Sequence, residues 1–572
     1  MLAASAPRRD RIVPNPRGGI SNVTGEENST AEDVGCVQVF AFAEDSSTNA
    51  SVTDWMQVGN EVLGDEAGDK LSAVSLSADG TSFATGSAVG GNGTGYVRVY
   101  GLVGDISSGK WLRMGGTLAG QESGQRFGSH LSLSRDARFI AVGSPFANSR
   151  GGAVRLFELG WIQVGEDLSR GSRLGEDFGY DISLATLGEN SSIPRTRIAI
   201  SAPTASSLTG EEETGAVFVY DVGLDHTFEK VGQTLYGAPG DVVRGYLSKD
   251  ARRLAVGERY NDGTNGTQKN IGLVRVFELS TNATSERNWT GVGQMLYGDE
   301  RNEQSGKAFR LNYDGSIIAI GAKMAEGKKG RVRVYEIQKS GDILERKWIP
   351  RGQDLIGENP GEGLGGMLDI SDDGTVVVTS GSTTDKAGFI RVYKYRPAAG
   401  MWDKVGNDIY GEAAEDRFGG YTAISGDGRI VAGGSKRGFE DERGYIRVFE
   451  FDQDANEWEK IGGNIDGEEA DANLRVVSLS EDGRRVGTSS GETQNHTGFV
   501  AVYDLVNGRW NRVGGKIFGQ KPKTNFGHVH ALSRDGSRLV ATAPAHGQKS
   551  LGLEPTMLGL VRLYDLPPPF AN

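Results

Sequence analysis

Three histidines near the C-terminus, His528, His530 and His546, come nearest to a metal site in this sequence. His528 and His530 are spaced two apart and so share one face of an extended strand. No carboxylate stands in register with them, and no Cys/His spacing is that of a zinc centre. Acidic residues gather in recurring turns: Asp65-Glu66 with Asp69, Glu176-Asp177, Glu412 with Glu415-Asp416, and Glu468-Glu469 with Asp471. Carboxylates collected on one rim could take calcium; the plainer reading is a solvated acidic rim. There is no Gly-x-Ser-x-Gly nucleophile elbow and no Walker loop. The Gly-rich run from Gly361 to Gly366 leads into a strand rather than a helix, so it reads as a turn and not as a phosphate cradle. No catalytic, cofactor-binding or metal-ligating residue is therefore expected.

A second chemistry is glycosylation. Asn22, Asn28, Asn49, Asn92, Asn190, Asn265, Asn282, Asn288 and Asn495 each begin an Asn-x-Ser/Thr sequon, and all fall in expected loops. They point to the secretory path or the cell exterior, although the arginine-bearing start of the chain shows no apolar leader. A cytoplasmic location is the alternative.

Composition bounds the rest. The chain has 572 residues, 86 of them Gly, one Cys, 37% hydrophobic residues and a formal net charge of −13. That apolar share supports a packed core. The acidic balance argues against a nucleic-acid partner. One cysteine, Cys36, can form no internal disulfide, and no apolar run reaches the length of a membrane helix. The chain reads as a monomer.

The elements that position these residues repeat every 58 residues or so. A strand such as Gly-Tyr-Val-Arg-Val-Tyr, ending at Tyr100, recurs to end at Phe40, Phe157, Tyr220, Phe277, Tyr335, Tyr393, Phe449, Tyr503 and Tyr564. Seven copies carry a central Arg: Arg98, Arg155, Arg275, Arg333, Arg391, Arg447 and Arg562. All eight tryptophans share one register, Trp-x-x-Val-Gly: Trp55, Trp111, Trp161, Trp289, Trp348, Trp402, Trp458 and Trp510, with Phe228 in the equivalent place of another copy. One packing site filled by a large ring in every unit accounts for this. A Ser-Leu-Ser-x-Asp-Gly turn supplies Asp79, Asp136, Asp250, Asp314, Asp373, Asp427, Asp482 and Asp535, a hairpin signal between two apolar runs. The recurring Arg and turn Asp suggest one structural ion pair per unit.

Four short antiparallel strands per unit, repeated, predict an all-β fold, a β-propeller of four-stranded blades. About nine blades are expected, in a range of eight to ten and in one ring, closed by pairing the 52–64 strand with the C-terminal three. Residues 1–45 read as a partial or degraded blade at a possibly truncated start, 46–566 as the propeller and 567–572 as a tail.

Two known families resemble this pattern. Ser-Leu-Ser-x-Asp-Gly followed by Val-Arg-Val-Tyr resembles a WD-repeat blade without its Trp-Asp pair. Phe127-Gly128 with Val142-Gly143-Ser144-Pro145, Phe178-Gly179 with Ser201-Ala202-Pro203, and Phe526-Gly527 with Thr542-Ala543-Pro544 resemble the FG-GAP repeats of integrin-α-like propellers. The resemblance covers residues 36 to 566 and implies fold more than task. Integrin-type calcium loops would need alternating Asp/Asn oxygens that these turns lack.

The functional expectation is a non-enzymatic binding, adhesion or scaffold module, presenting loops 88–95, 146–152, 203–215, 259–271, 436–443 and 545–558 to a protein or glycan. The alternatives are an intracellular WD-like scaffold, and a hydrolase or lyase with its site in the central channel. Innermost strands rich in Ser, Leu, Val and Gly disfavour the latter; three or more convergent ionisable groups lining the channel would favour it.

Overall fold

A computed structural model describes residues 2–6 and 34–566, apart from 46–51, 104–109, 170–176, 188–194, 207–213, 281–286, 339–345, 545–558 and some shorter stretches. Among the described residues, helix is confined to short turns such as Ala325–Lys328 and Thr493–His496. No helix among the described residues is long and apolar enough to cross a membrane. The chain divides into two compact units near residue 162.

The first unit holds three antiparallel sheets. Leu2–Ala6, Cys36–Asp45 and Val52–Leu63 form one. Ala73–Leu76, Ser82–Ser87, Tyr96–Val103 and Lys110–Ala119 form a complete four-stranded blade. His130–Leu133, Phe139–Ser144 and Ala153–Glu158 form the third.

The second unit is the propeller. Blades 1 to 6 begin with the strands Asp181–Leu187, Val243–Leu247, Ala308–Leu311, Leu368–Ile370, Phe418–Ile424 and Val476–Leu479, and each continues outward through three more strands in chain order. Blade 7 takes its inner three strands, His530–Leu532, Arg538–Ala543 and Leu560–Asp565, from the C-terminal end and its outermost, Ile162–Ser169, from far upstream. Each first strand packs beside the first strand of the next blade, and that of blade 7 packs beside that of blade 1, so the ring closes. Closure removes sheet edges.

The propeller architecture is as expected, with one correction: the ring has seven blades, not nine. The strand that completes the C-terminal sheet is 162–169, not 52–64. Both segments carry the same outer-strand pattern, so the repeat could not say which copy would be used.

Alternation explains why these strands need neighbours on both sides. Leu254 and Val256 pack with Ala199, Val217 and Val219 of blade 1, whereas Ala255 between them packs with Phe309 and Ile318 of blade 3. Period-two alternation thus buries both faces of a sheet.

The tryptophan motif joins consecutive blades. The indole N–H of Trp289 donates to the Val231 carbonyl at 3.1 Å, that of Trp348 to Val292 at 2.9 Å, and that of Trp402 to Arg351 at 2.6 Å. Trp458, Trp510 and, in the first unit, Trp111 repeat the bond to Val405, Ile461 and Val58. Each acceptor sits beside the motif glycine of the preceding blade. Gly293 has φ +72°, and a Cβ there would lie 2.5 Å from the Trp348 ring, so this position serves the indole of the next blade, not its own. Trp55, first in the series, is half exposed; Trp161 lies outside the described residues. Phe228 is half-buried at the start of its outer strand.

Candidate functional site

Hydrogen bonds between first strands set the geometry of the channel. The Ser183 hydroxyl accepts the Leu247 backbone N–H at 3.0 Å, and Asp369 does the same for Ile424 at 3.2 Å. This is the position of the first Ser in Ser-Leu-Ser, and its side chain faces the next blade. Blades 2, 3 and 4 put Tyr246, Arg310 and Asp369 there instead.

At one mouth of the channel the hairpin turns of blades 2 to 7 are linked by a chain of backbone bonds: Asp250 to Tyr313, Tyr313 to Asp372, Asp372 to Gly426, Gly426 to Glu481 and Glu481 to Arg534, each N–H donating to the next carbonyl at 2.7–3.1 Å. Along this chain, Asp372 receives Lys249 Nζ at 2.5 Å and Arg534 at 3.0 Å. Gly426 is needed, because a Cβ there would sit 2.6 Å from the Asp372 carboxylate.

At the other mouth, where the first strands begin, ionisable groups from several blades converge. Asp181 of blade 1 is buried and accepts the Tyr246 hydroxyl at 2.7 Å and its neighbour's Ile182 N–H at 3.0 Å, with Arg244 Nη1 at 3.4 Å. The Arg310 guanidinium lies 3.6 Å from the centre of the Tyr246 ring. Tyr421 of blade 5 packs against the core between blades 7 and 1, so it reaches across the axis. Arg475 of blade 6 pairs with Glu492 at 2.8 Å. Tyr180 and His528 rings lie 5.3 Å apart.

Burial, and then the Asp181 charge, pushes the Tyr246 hydroxyl above the usual phenol range. Burial pulls Arg244 down, but Asp181 and the surrounding tyrosines outweigh it and hold the guanidinium charged. Lys307, at the same mouth, is pulled down to about 8 by burial and by Lys323, Arg259 and Arg244. A carboxylate, a phenol and two guanidiniums in contact can move a proton and stabilise a developing negative charge.

Of the residues singled out in the sequence, His528 stands at this mouth beside Tyr180 and the others lie elsewhere. His530 is buried, its Nδ1 2.8 Å from Ser489 Oγ, and burial holds its pKa near 4. His546 is outside the described residues, and no group of three metal-ligating side chains occurs among those described. Rim acids cap their own turns: Asp416 accepts the Ala413 N–H at 2.8 Å and the Tyr445 hydroxyl at 2.6 Å. The marker arginines pair with the acidic rim rather than with the hairpin Asp, as a correction to the expected pair. Arg333 meets Asp354 and Asp299, Arg391 meets Asp408, and Arg447 meets Glu412. The hairpin Asp is taken up locally, as where Asp373 accepts the Ser371 hydroxyl and the Thr375 N–H. Asn288 is exposed. Asn495 lies in the Thr493–His496 turn, and the remaining sequons fall outside the described residues.

No family model matches the chain, and no curated protein matches it. Solved structures do. A candidate 6-phosphogluconolactonase from Bacteroides uniformis is 12% identical, with 66% of this chain and 92% of that one covered at a TM-score of 0.40. Hydrazine synthase from Kuenenia stuttgartiensis is 12% identical, with 65% and 95% covered at 0.41. A candidate 6-phosphogluconolactonase from Bacteroides fragilis is 14% identical, with 78% and 98% covered at 0.32.

The expectation of a non-enzymatic adhesion or scaffold module is corrected by the channel, which meets the criterion set for catalysis: Asp181, Arg244, Tyr246 and Arg310 converge in it. The sequence did hold a signal: three consecutive copies replace the small Ser of Ser-Leu-Ser with Tyr246, Arg310 and Asp369.

Proposed function

We propose that the second unit is a hydrolase or lyase acting on a small substrate in the channel, where the first strands begin. One observation carries this reading: a buried carboxylate bonded to a phenol, with two guanidiniums beside the pair, drawn from three blades at one mouth of the channel. Asp181 would accept a proton from the substrate or from water, Tyr246 would hold the carboxylate in place and return a proton, and Arg244 with Arg310 would face the charge that develops. The test is turnover of a panel of small esters, lactones and uronic-acid glycosides. Asp181→Asn and Tyr246→Phe should each lower kcat by roughly 10²–10⁴. Full activity in both variants, or none in the wild type across the panel, sinks the reading.

We further infer a place in the secretory path or outside the cell. The exposed Asn288 sequon supports it, and mass spectrometry of native protein without glycan at Asn288 would refute it. The finer kinship to WD-repeat or FG-GAP blades is likewise a reading. It is supported by the Ser-to-Asp hydrogen bond in the hairpins of blades 2, 4, 5, 6 and 7, as from Ser425 to Asp427 at 2.7 Å.

A further inference from the structure

The mouth of the channel is charged unevenly. Arg244 is the second residue of the first strand of blade 2 and Lys307 directly precedes the first strand of blade 3; Arg259 and Lys323 directly follow the second strands of the same two blades. Strands one and two of a blade are antiparallel neighbours, so these four places fall on one rim. Arg244 Nη1 lies 3.5 Å from the Lys307 carbonyl, which ties the two blades together there. The Lys323 stem runs over Gly363 and Gly366 of the next blade, where a Cβ would lie 3.6 and 3.7 Å from its carbons.

The four cations are poorly neutralised. Asp181 faces Arg244, but no carboxylate among the described residues pairs with Arg259, Lys307 or Lys323. The Nε atoms of Arg244 and Arg259 are buried with no hydrogen-bond partner. The mutual repulsion is strong enough, together with burial, to pull Lys307 down to about 8. In a chain of net charge −13, a cluster of four cations facing one acid is a local inversion of sign. Holding like charges together costs free energy that an anion placed among them would offset.

We propose that Arg244, Arg259, Lys307 and Lys323 form a subsite for a tetrahedral oxyanion, a phosphoryl or sulfuryl group carried by the substrate. The inference rests on the channel being the active site and names the substrate class. The two guanidiniums supply planar paired donors and the two ammonium groups supply point charges. The remainder of the substrate would then extend inward toward Asp181 and Tyr246.

The test is calorimetric titration of the full chain with inorganic phosphate, sulfate and acetate at fixed ionic strength. Phosphate or sulfate should bind at one site and acetate at least about tenfold more weakly, a difference of roughly 1.4 kcal/mol. Whichever of the two binds more tightly identifies the group. Lys307→Met and the exposed, fold-tolerant Lys323→Gln should each weaken binding by about tenfold. Lys460→Gln, on an outer strand, should leave it unchanged. Acetylation of Lys307 near pH 8, read by mass spectrometry, should be suppressed by the bound anion. Asp181→Asn should retain or tighten anion binding while abolishing turnover, so the two proposals fail separately. Equal affinity for acetate, or unchanged binding in both lysine variants, overturns the subsite even if the enzyme turns over.

Discussion

The seven joints of the ring fall into two arcs. At four joints the second strand begins with an arginine that reaches the next blade. Arg197 donates to the Ala251 carbonyl at 2.7 Å, Arg253 to Gly315 at 3.0 Å, Arg485 to Gly536 at 2.8 Å, and Arg538 to the Thr196 hydroxyl at 2.6 Å. Each also pairs with a carboxylate on its own third strand: Asp221, Glu278, Asp504 and Asp565. At the other three joints, from blade 3 to blade 6, the same place holds Ile317, Val376 and Ile430, which lie against Gly374, Gly428 and Gly483 of the next hairpin. At Gly315 and Gly536 the arginine fills the space above a turn glycine that the aliphatic side chain fills at Gly374, Gly428 and Gly483. An apolar contact sets only distance, whereas a guanidinium with fixed donors also sets orientation. The arginine arc contains the closure between blades 7 and 1, where Arg538 and Thr196 are 342 residues apart. Closing so long a loop carries an entropic cost, and directional bonds hold that joint in register.

The sharpest way to break the comparison is Arg485→Ala. Arg485 is 1% exposed, and its loss removes a guanidinium paired with Asp504 in a buried site. Urea unfolding should show about 3–5 kcal/mol of destabilisation. Next, Trp348→Phe keeps a ring but leaves the Val292 carbonyl unpaired, for about 1–3 kcal/mol. At an aliphatic joint, Ile430→Val should cost only about 0.5–1.5 kcal/mol. Equal losses at Arg485 and Ile430 would erase the distinction between the arcs. Replacing the whole pair, Arg485→Met with Asp504→Leu, should recover most of the single-variant loss. That outcome would show that the ion pair confers direction rather than net stability.

The smallest effect is a pH slope within the arginine arc. Burial, and then Glu258, raises Asp241 from 3.8 to about 7, and Asn261 donates to both carboxylates at 3.2–3.3 Å. The folded state therefore holds a proton that the unfolded chain releases near 3.8. Its stabilising contribution is present at low pH and is lost as pH rises toward 7. His530 has the opposite sign: burial lowers it from 6.5 to about 4, so stability falls as pH falls across that interval. Asp241→Asn should make stability rise more steeply with pH between 4 and 7 than in the wild type, read from unfolding midpoints at each pH. An unchanged slope would mean that Asp241 does not titrate in this window.

Much of this was legible in residues. The tryptophan register located every outer strand, and the glycine after it was visible as a partner of that motif. Where a hairpin carries that serine, it announced a local bond to its Asp. The channel cluster was not legible, because Tyr246, Arg310 and Asp369 are unremarkable one at a time and acquire meaning only when three blades bring them to one axis. Ring size was not legible either. A repeat states that neighbours pack, but the angle between neighbours comes from side-chain packing along the whole interface.

Sequence alone determined the strand, its alternation, the hairpin and the demand for a neighbour on each face, since all four are local or nearest-neighbour properties of a 58-residue unit. Tertiary structure alone decided that seven units close, that 162–169 supplies the missing edge, and that Asp181 meets Tyr246 across 65 positions. Those outcomes depend on summed geometry around a circle, which no single repeat encodes.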